Sequence, residues 1–260
     1  MKKIFIIVNS PLFVIQHLIP IINKLKDNYI VYLLYKEDKN YKINLIGVNS
    51  IQVPIKRNPG FEDLFALPLL ILMRILMRPD ISISFTPKAG LFNAISSFCT
   101  GKTYHYFTGQ RWVKFKKLKL FFYKYIDRFI AKSCDKVFCD SFSQADFLAA
   151  ELNINKPKVI AKGSVSGVSF EKYNIDKNLA LEKLKNTKNF ISKDIKRLLI
   201  NKEIDNNFVF GFVGRLTIDK GINELIEAFK LHNEEFNNSF LLLIGPNELK
   251  KRNLQEYFIS

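Results

Sequence analysis

The chain is poor in the residues that build metal centres and covalent frameworks. It carries only three cysteines, Cys99, Cys134 and Cys139. Their odd number and the lack of CxxC spacing argue against a disulfide framework or a zinc site and fit a reducing cytoplasm. The histidines, His17, His105 and His232, form no metal-spaced group and no HExxH. Long uncharged apolar runs are missing too. The most apolar helical stretch, "LFALPLLILMRILMR", is interrupted by Arg74 and Arg78 and is too short to span a bilayer. The run Ile4 to Val8 is broken by Asn9, Ser10 and Pro11, so it reads as a buried strand and not a signal peptide. Acidic residues are scarce against basic ones, 24 against 40, for a formal charge of +16. That excess points to an acidic partner, or else to a compositional bias toward Lys, Asn and Ile. Both readings stand.

What is present is a core. Hydrophobic residues make up 48% of 260, enough for one large or two modest domains and incompatible with disorder. Short apolar runs alternate with helix-period segments: "KIFIIVN" (3–9), "YIVYLLY" (29–35), "DISISF" (80–85), "KTYHYF" (102–107), "KVFCDS" (136–141) and "KVIAKG" (158–163). Helices are expected near 12–26, 61–77, 88–99, 112–132 and 143–151. Strands of this length joined by helical crossovers predict a parallel sheet covered on both faces. Residues 163–206 are turn-rich and then highly charged. The strand–helix rhythm restarts at "NFVFGFVG" (207–214), with a helix at 219–233, a strand "SFLLLIG" (239–245) and a helix start near 247. The expected organisation is therefore a Rossmann-like domain over 1–163, a linker and helical segment over 164–205, and a second, incomplete Rossmann-like domain over 206–260.

Two motifs mislead. "GKT" (101–103) ends like a P-loop, but the earlier glycine position is Ser96 and a strand follows it. "GSVSG" (163–167) has Val165 where a nucleophile elbow needs serine. "FVGRLTIDKGINELIEAF" (212–229) is different. Gly214 ends a strand and permits close backbone approach, Arg215 presents a fork of donors suited to phosphate oxygens, and Lys220 adds a flexible charge. A helix beginning near Asp219 would offer its N-terminal amides to the same anion. Together they form a candidate diphosphate clamp; the plainer alternative is a solvated Arg and Lys around an ordinary turn.

This stretch resembles the family-4 glycosyltransferases of the GT-B fold. "RPDISISFTPKAGLFNA" (78–94), "YHYFTGQRW" (104–112), "KGSVSGVSFEKY" (162–173) and "LLLIGPNE" (241–248) are similar to segments of bacterial surface-polysaccharide members, in the same order. The resemblance implies transfer of a sugar from a nucleotide donor, a UDP-sugar, to a lipid-linked glycan acceptor, with retention and without metal or other cofactor. On matching positions Arg215 and Lys220 would hold the donor diphosphate beside Gly214, with Arg215, Lys220 and Thr108 as catalytic candidates. Thr108 and Gly109 lie at the turn where relatives carry a histidine near the donor sugar. His105, three residues earlier, reads either as a sugar contact or, preferably, as a buried structural histidine. Ser10 stands for the donor site in the first loop, which lacks a glycine pair. Lys88 and Gln110, at strand-end turns, are acceptor-side candidates. Ser169 occupies a position where relatives carry Asp, and the family's Glu-x7-Glu region falls beyond residue 250. The expectation is a C-terminally truncated member with weak or no turnover.

The segment 111–136 holds nine Lys or Arg against two Asp, with seven aromatics interleaved. Phe115, Leu118, Phe122, Ile126 and Phe129 fall on one helical face. Such a helix can rest on an anionic membrane through Lys116, Lys117, Lys119, Phe115 and Phe122, or bury its stripe against the sheet and leave the lysines solvated. No nucleic-acid module is recognised. The expected location is cytoplasmic, peripheral on the inner face of the cytoplasmic membrane. The rival reading is a non-catalytic membrane-associated remnant or binding module.

Overall fold

Seven strands pair side by side, all parallel, in the order β3-β2-β1-β4-β5-β6-β7. They are β1 (Lys2–Ile7), β2 (Tyr29–Tyr35), β3 (Asn49–Gln52), β4 (Ile81–Ser84), β5 (Lys102–Phe107), β6 (Lys136–Cys139) and β7 (Lys158–Val159). The computed structural model describes residues 1–39, 41–56, 59–168, scattered positions between 170 and 182, and 208–246. Most of the expected 164–205 linker, and the helix expected near 247, lie outside those residues. Its contacts divide the chain into two compact units, Met1–Val168 and Ser169–Ser260.

In the first unit, alternation along β1 sorts the core onto two faces. Ile4, Ile6 and Val8 meet Val14, Leu18 and Ile22 of the first helical segment. Phe5 and Ile7 point the other way, onto Ala66, Leu70 and Met73. That first segment begins as α1 (Pro11–Phe13), widens into a π-helical stretch over Val14–Leu18 and continues as α2 (Ile19–Leu25). Pro20 has no amide to donate to residue 16, and the preceding turn accommodates by bonding Ile19 N–H to the Val14 carbonyl. On the opposite face lie α3 (Asp63–Met77), α4 (Pro87–Ile95), α5 (Lys117–Ser133) and α6 (Phe142–Leu152), the arrangement that right-handed crossovers between parallel strands produce.

Arg74 of α3 is wholly buried and binds across elements. Its guanidinium donates to Asn93 Oδ1 at 3.1 Å, to Ser96 Oγ at 3.3 Å and to Thr103 Oγ1 at 3.0 Å. Asn93 in turn donates to the Ser82 and Tyr104 carbonyls at 3.2 and 3.0 Å. Burial lowers the pKa of Arg74 from its ordinary value. Its several neutral acceptors meet the requirement that a buried charge be hydrogen-bonded.

Helix α5 turns a different stripe to the core than its apolar spacing suggests. Leu120, Tyr123, Ile130 and the buried Asp127 face inward, while Leu118, Phe122 and Phe129 are exposed and Phe115 and Ile126 are half-buried. The reason is local. The helix begins only at Lys117, after an extended Lys116, so Phe115 precedes it. Asp127, polar by type, is taken inside by Trp112, whose Nε1 donates to its Oδ2 at 2.8 Å.

The second unit contributes β8 (Phe208–Val213) and β9 (Ser239–Ile244), parallel and in register from Phe208–Ser239 to Val213–Ile244. A short 3₁₀ turn (Ile218–Lys220) leads through a left-handed Gly221 into α7 (Ile222–Glu235). Ile222 and Ile226 of α7, with Leu216, pack on Phe212, Leu241 and Leu243.

Candidate functional site

Strand order reverses between β1 and β4, and in open parallel sheets ligands bind beyond the carboxyl ends of the strands near such a point. A cleft of about 440 Å³ opens at that edge of the first unit, lined by Phe13, His17, Thr108, Asp140, Ser164 and Ser166. They come from the helical segment after β1 and from the stretches that follow β5, β6 and β7. The π-helical stretch carries His17, whose Nδ1 lies 3.4 Å from Ser166 Oγ. Ser166 is held in place by a chain reversal in which Ser164 N–H donates to the Asp140 carbonyl at 2.7 Å.

Asp140 is the electrostatic centre of this cleft. Burial raises its carboxyl pKa above the usual range; Tyr106, the Val165 amide and the charge of His17 oppose that rise. Tyr106 is raised in turn, first by burial and then by Asp140. Asp140 Oδ1 and Tyr106 Oη are both buried without a regular hydrogen-bond partner. Buried polar atoms of native proteins are nearly always paired, so an orphan acceptor beside an open cleft suits a ligand hydroxyl. Beside it, the Phe13 ring offers an apolar wall, and Thr108, Ser164 and Ser166 add hydroxyls. This mixture of one aromatic face and convergent hydroxyl partners matches a polyol such as a sugar ring better than an apolar ligand.

In the second unit the β8 end and the turn after it carry the expected clamp residues. Gly214 N–H donates to the Ile244 carbonyl and Leu216 N–H to the Pro246 carbonyl, both at 2.9 Å. Between these two bonds the exposed Arg215 is fixed at the strand end. A Cβ on Gly245 would lie 1.7 Å from the Gly214 oxygen, so the two strand ends approach closely enough to require glycine there. Lys220 is exposed and lies on the 3₁₀ turn, its own N–H bonded to the Thr217 carbonyl at 3.0 Å. The α-helix begins at Ile222, not near Asp219, because Gly221 adopts φ +71. Lys220 therefore precedes the helix, and the free amides belong to residues from 222 onward.

The remaining predicted residues are placed as follows. Ser10 caps α1, accepting from Phe13 N–H at 3.4 Å. Thr108 lines the cleft and donates to the Phe85 carbonyl at 3.4 Å; Gly109 follows at φ +150 in open space. Lys88 reaches both carboxylate oxygens of Asp63 at 2.8 Å. Gln110 accepts from Gln144 at 3.3 Å. His105 is buried, 2.9 Å from Ser84 Oγ, with its pKa pushed down to about 3 by burial. It is a neutral structural histidine. His17 and Asp140 were not among the expected site residues. Asp140 closes the strand "KVFCD" and gives no local sign of facing His17, 123 positions earlier. Among the described residues no group of three or more His, Cys, Asp or Glu is placed to hold a metal.

A parallel-sheet unit with a cleft at its carboxyl edge and a second α/β unit are the parts of the GT-B fold. The comparisons agree on that architecture. No family model matches the chain. It is 34% identical over 228 residues, 85% of its length, to the capsular polysaccharide biosynthesis glycosyltransferase CapM of Staphylococcus aureus, and spans 54% of that relative. The solved sucrose-phosphate synthase of Thermosynechococcus elongatus superposes with TM-score 0.62 at 16% identity, over 94% of this chain and 62% of that one. HepE of Anabaena, solved with UDP and glucose, superposes with TM-score 0.59 at 18% identity, over 99% of this chain and 64% of that one. The chain thus spans about half the length of the curated relative it matches.

Proposed function

We propose that the chain is part of a glycosyltransferase of family-4 type that moves a sugar from a nucleotide-sugar to a lipid-linked or polysaccharide acceptor in surface-polysaccharide synthesis. The observation that carries this reading is the 34% identity over 228 residues to a capsular polysaccharide glycosyltransferase. The UDP found with HepE supports a UDP-sugar as donor. In this reading Arg215 and Lys220 grip the donor diphosphate beside Gly214 and neutralise the charge that grows on the departing nucleotide, a task otherwise given to a metal ion. In this reading their positive charge takes the place of a metal ion, and the transfer proceeds with retention, as the family resemblance implies. Thr108 and Gly109 stand by the donor sugar, with Ser10 at the first loop. Asp140 accepts a hydroxyl hydrogen bond from the acceptor glycan, His17 and Ser166 hold a second hydroxyl, and Gln110 and Lys88 border the acceptor side. The enzyme works on the inner face of the cytoplasmic membrane, touching it through Phe115, Lys116, Lys117, Lys119 and Phe122 of the α5 region.

The test is a thermal-shift screen of the purified chain over nucleotides and nucleotide sugars, followed by transfer to a lipid-linked acceptor. UDP or a UDP-sugar raises the melting temperature, and Arg215→Ala with Lys220→Ala removes that response. The same pair lowers transfer by about 100-fold or more. A folded chain indifferent to every nucleotide sugar, or one stabilised instead by DNA or RNA in a salt-steep manner, overturns the reading.

A further inference from the structure

Helix α3 is apolar on every side. Ala66, Leu70 and Met73 face the sheet, while Leu64, Phe65, Leu72 and Leu76 on its outer side are 69, 72, 51 and 71% exposed. A helix of that composition is ordinarily covered all round. At 15 residues it reaches about 22 Å, short of a hydrocarbon core, and no described helix is long and apolar enough to cross a membrane. Helix α5 lies on the same sheet face, with α4 packed against both. Its outer side shows Leu118, Phe121 and Tyr125, all at least 70% exposed.

The charges on these two helices select the occupant. Their carboxylates are Asp63 and Asp127. Asp63 is bonded to Lys88 and Asp127 is buried under Trp112. Lys124 is paired with Glu151 of α6 at 2.7 Å; the outer surface of α5 is left with Lys117, Lys119, Arg128 and Lys132, and Lys116 immediately precedes it. A second copy of this chain would set cation against cation. An anionic bilayer satisfies both features, because its headgroups meet the lysines and its acyl boundary takes the apolar stripe.

We infer that α3 and α5 form one two-helix surface that lies in the face of an anionic bilayer, with α3 the inserting element and α5 the cationic grip. This rests on the membrane contact proposed above for α5 and adds a partner element that the apolar pattern of α3 alone does not announce as external. It requires no transferase activity.

The experiment is flotation of the purified chain with vesicles of phosphatidylglycerol and phosphatidylethanolamine, against neutral phosphatidylcholine. The chain floats with the anionic vesicles and less so in high salt. Leu72→Glu with Leu76→Glu, both on the exposed side, lowers the partition coefficient by about 100-fold while far-UV circular dichroism is unchanged. A second readout is independent of binding loss: Leu72→Trp fluorescence shifts to the blue with these vesicles and is quenched by brominated acyl chains, and Leu231→Trp, on α7, is not. If the Leu72/Leu76 pair floats like the parent while Lys116→Glu, Lys117→Glu and Lys119→Glu together abolish flotation, α5 alone makes the contact and the inference falls. It falls equally if the parent ignores vesicles, or if sedimentation shows a dimer that the Leu72/Leu76 pair dissolves.

Discussion

In the first unit the candidate site is a cleft walled by the first helical segment and the stretches after three strands, far apart in sequence, from Phe13 to Ser166. In the second it is a single turn, Gly214 to Gly221, beside the two strands found among the described residues. Seven strands and three core clusters stand behind the cleft, and its key carboxylate, Asp140, is half-buried with its Oδ1 lacking a regular hydrogen-bond partner. The turn is exposed, and its cations are positioned by two backbone bonds and a glycine contact. One site depends on burial and the other on backbone geometry. The same kind of substitution should therefore affect them very differently.

The largest effect is expected where backbone meets backbone. Gly245→Val drives a side chain into the Gly214 carbonyl, and the strand end must separate from its neighbour at a cost of about 3 kcal/mol or more. Selective loss of amide-exchange protection in residues 208–213 and 239–244, with the first unit unaffected, would record it.

Next comes the interior of the first unit. Burial pushes Asp127 up to about 7 from 3.8, so its ionisation opposes folding as pH rises through that interval and the burden is complete above it. Asp127→Asn keeps an acceptor for Trp112 and should stabilise the unit by on the order of 3 kcal/mol at pH 8 and hardly at all at pH 4. Denaturant melts at the two pH values measure it; equal gains at both would contradict the ionisation argument. His105 acts in the opposite sense. Its pKa is about 3 against 6.5, so the stability it permits is present above 6.5 and is lost as pH falls toward 3.

Smaller effects separate the two sites chemically. Asp140→Asn removes a charge but keeps the shape of the cleft, and about a tenfold loss in kcat/KM for the acceptor is expected, with UDP stabilisation unchanged. An equal loss of UDP response would contradict that separation of roles. Least of all, Ser141→Ala deletes the N-cap bond to Gln144 N–H at 3.1 Å and should lower the melting temperature by the equivalent of about 1 kcal/mol, without touching either ligand response.

These differences also explain what sequence reasoning could reach. Strands β1, β2 and β4 to β9 were legible as bounded apolar runs. β3, "NSIQ", was not, because an edge strand with one half-buried residue and three exposed ones carries no apolar signal. Arg215 and Lys220 can be put forward from the sequence because their setting is local. The pairing of His17 with Asp140 could not, since only the folded topology brings β1 and β6 ends to one cleft. The apolar stripe of α5 left burial and exposure both open, and the inward turn of Asp127 could not be seen because its burial under Trp112 is a tertiary event.

Arg74 gives the exposed helix α3 a mechanical property. Its guanidinium reaches Asn93, Ser96 and Thr103, and the Thr100 hydroxyl donates to its carbonyl at 3.0 Å. Any load applied to the outer side of α3 is thereby passed through several bonds in parallel to α4 and β5. The helix cannot peel away as a separate lever; a pull on it is a pull on the sheet whose far edge forms the cleft.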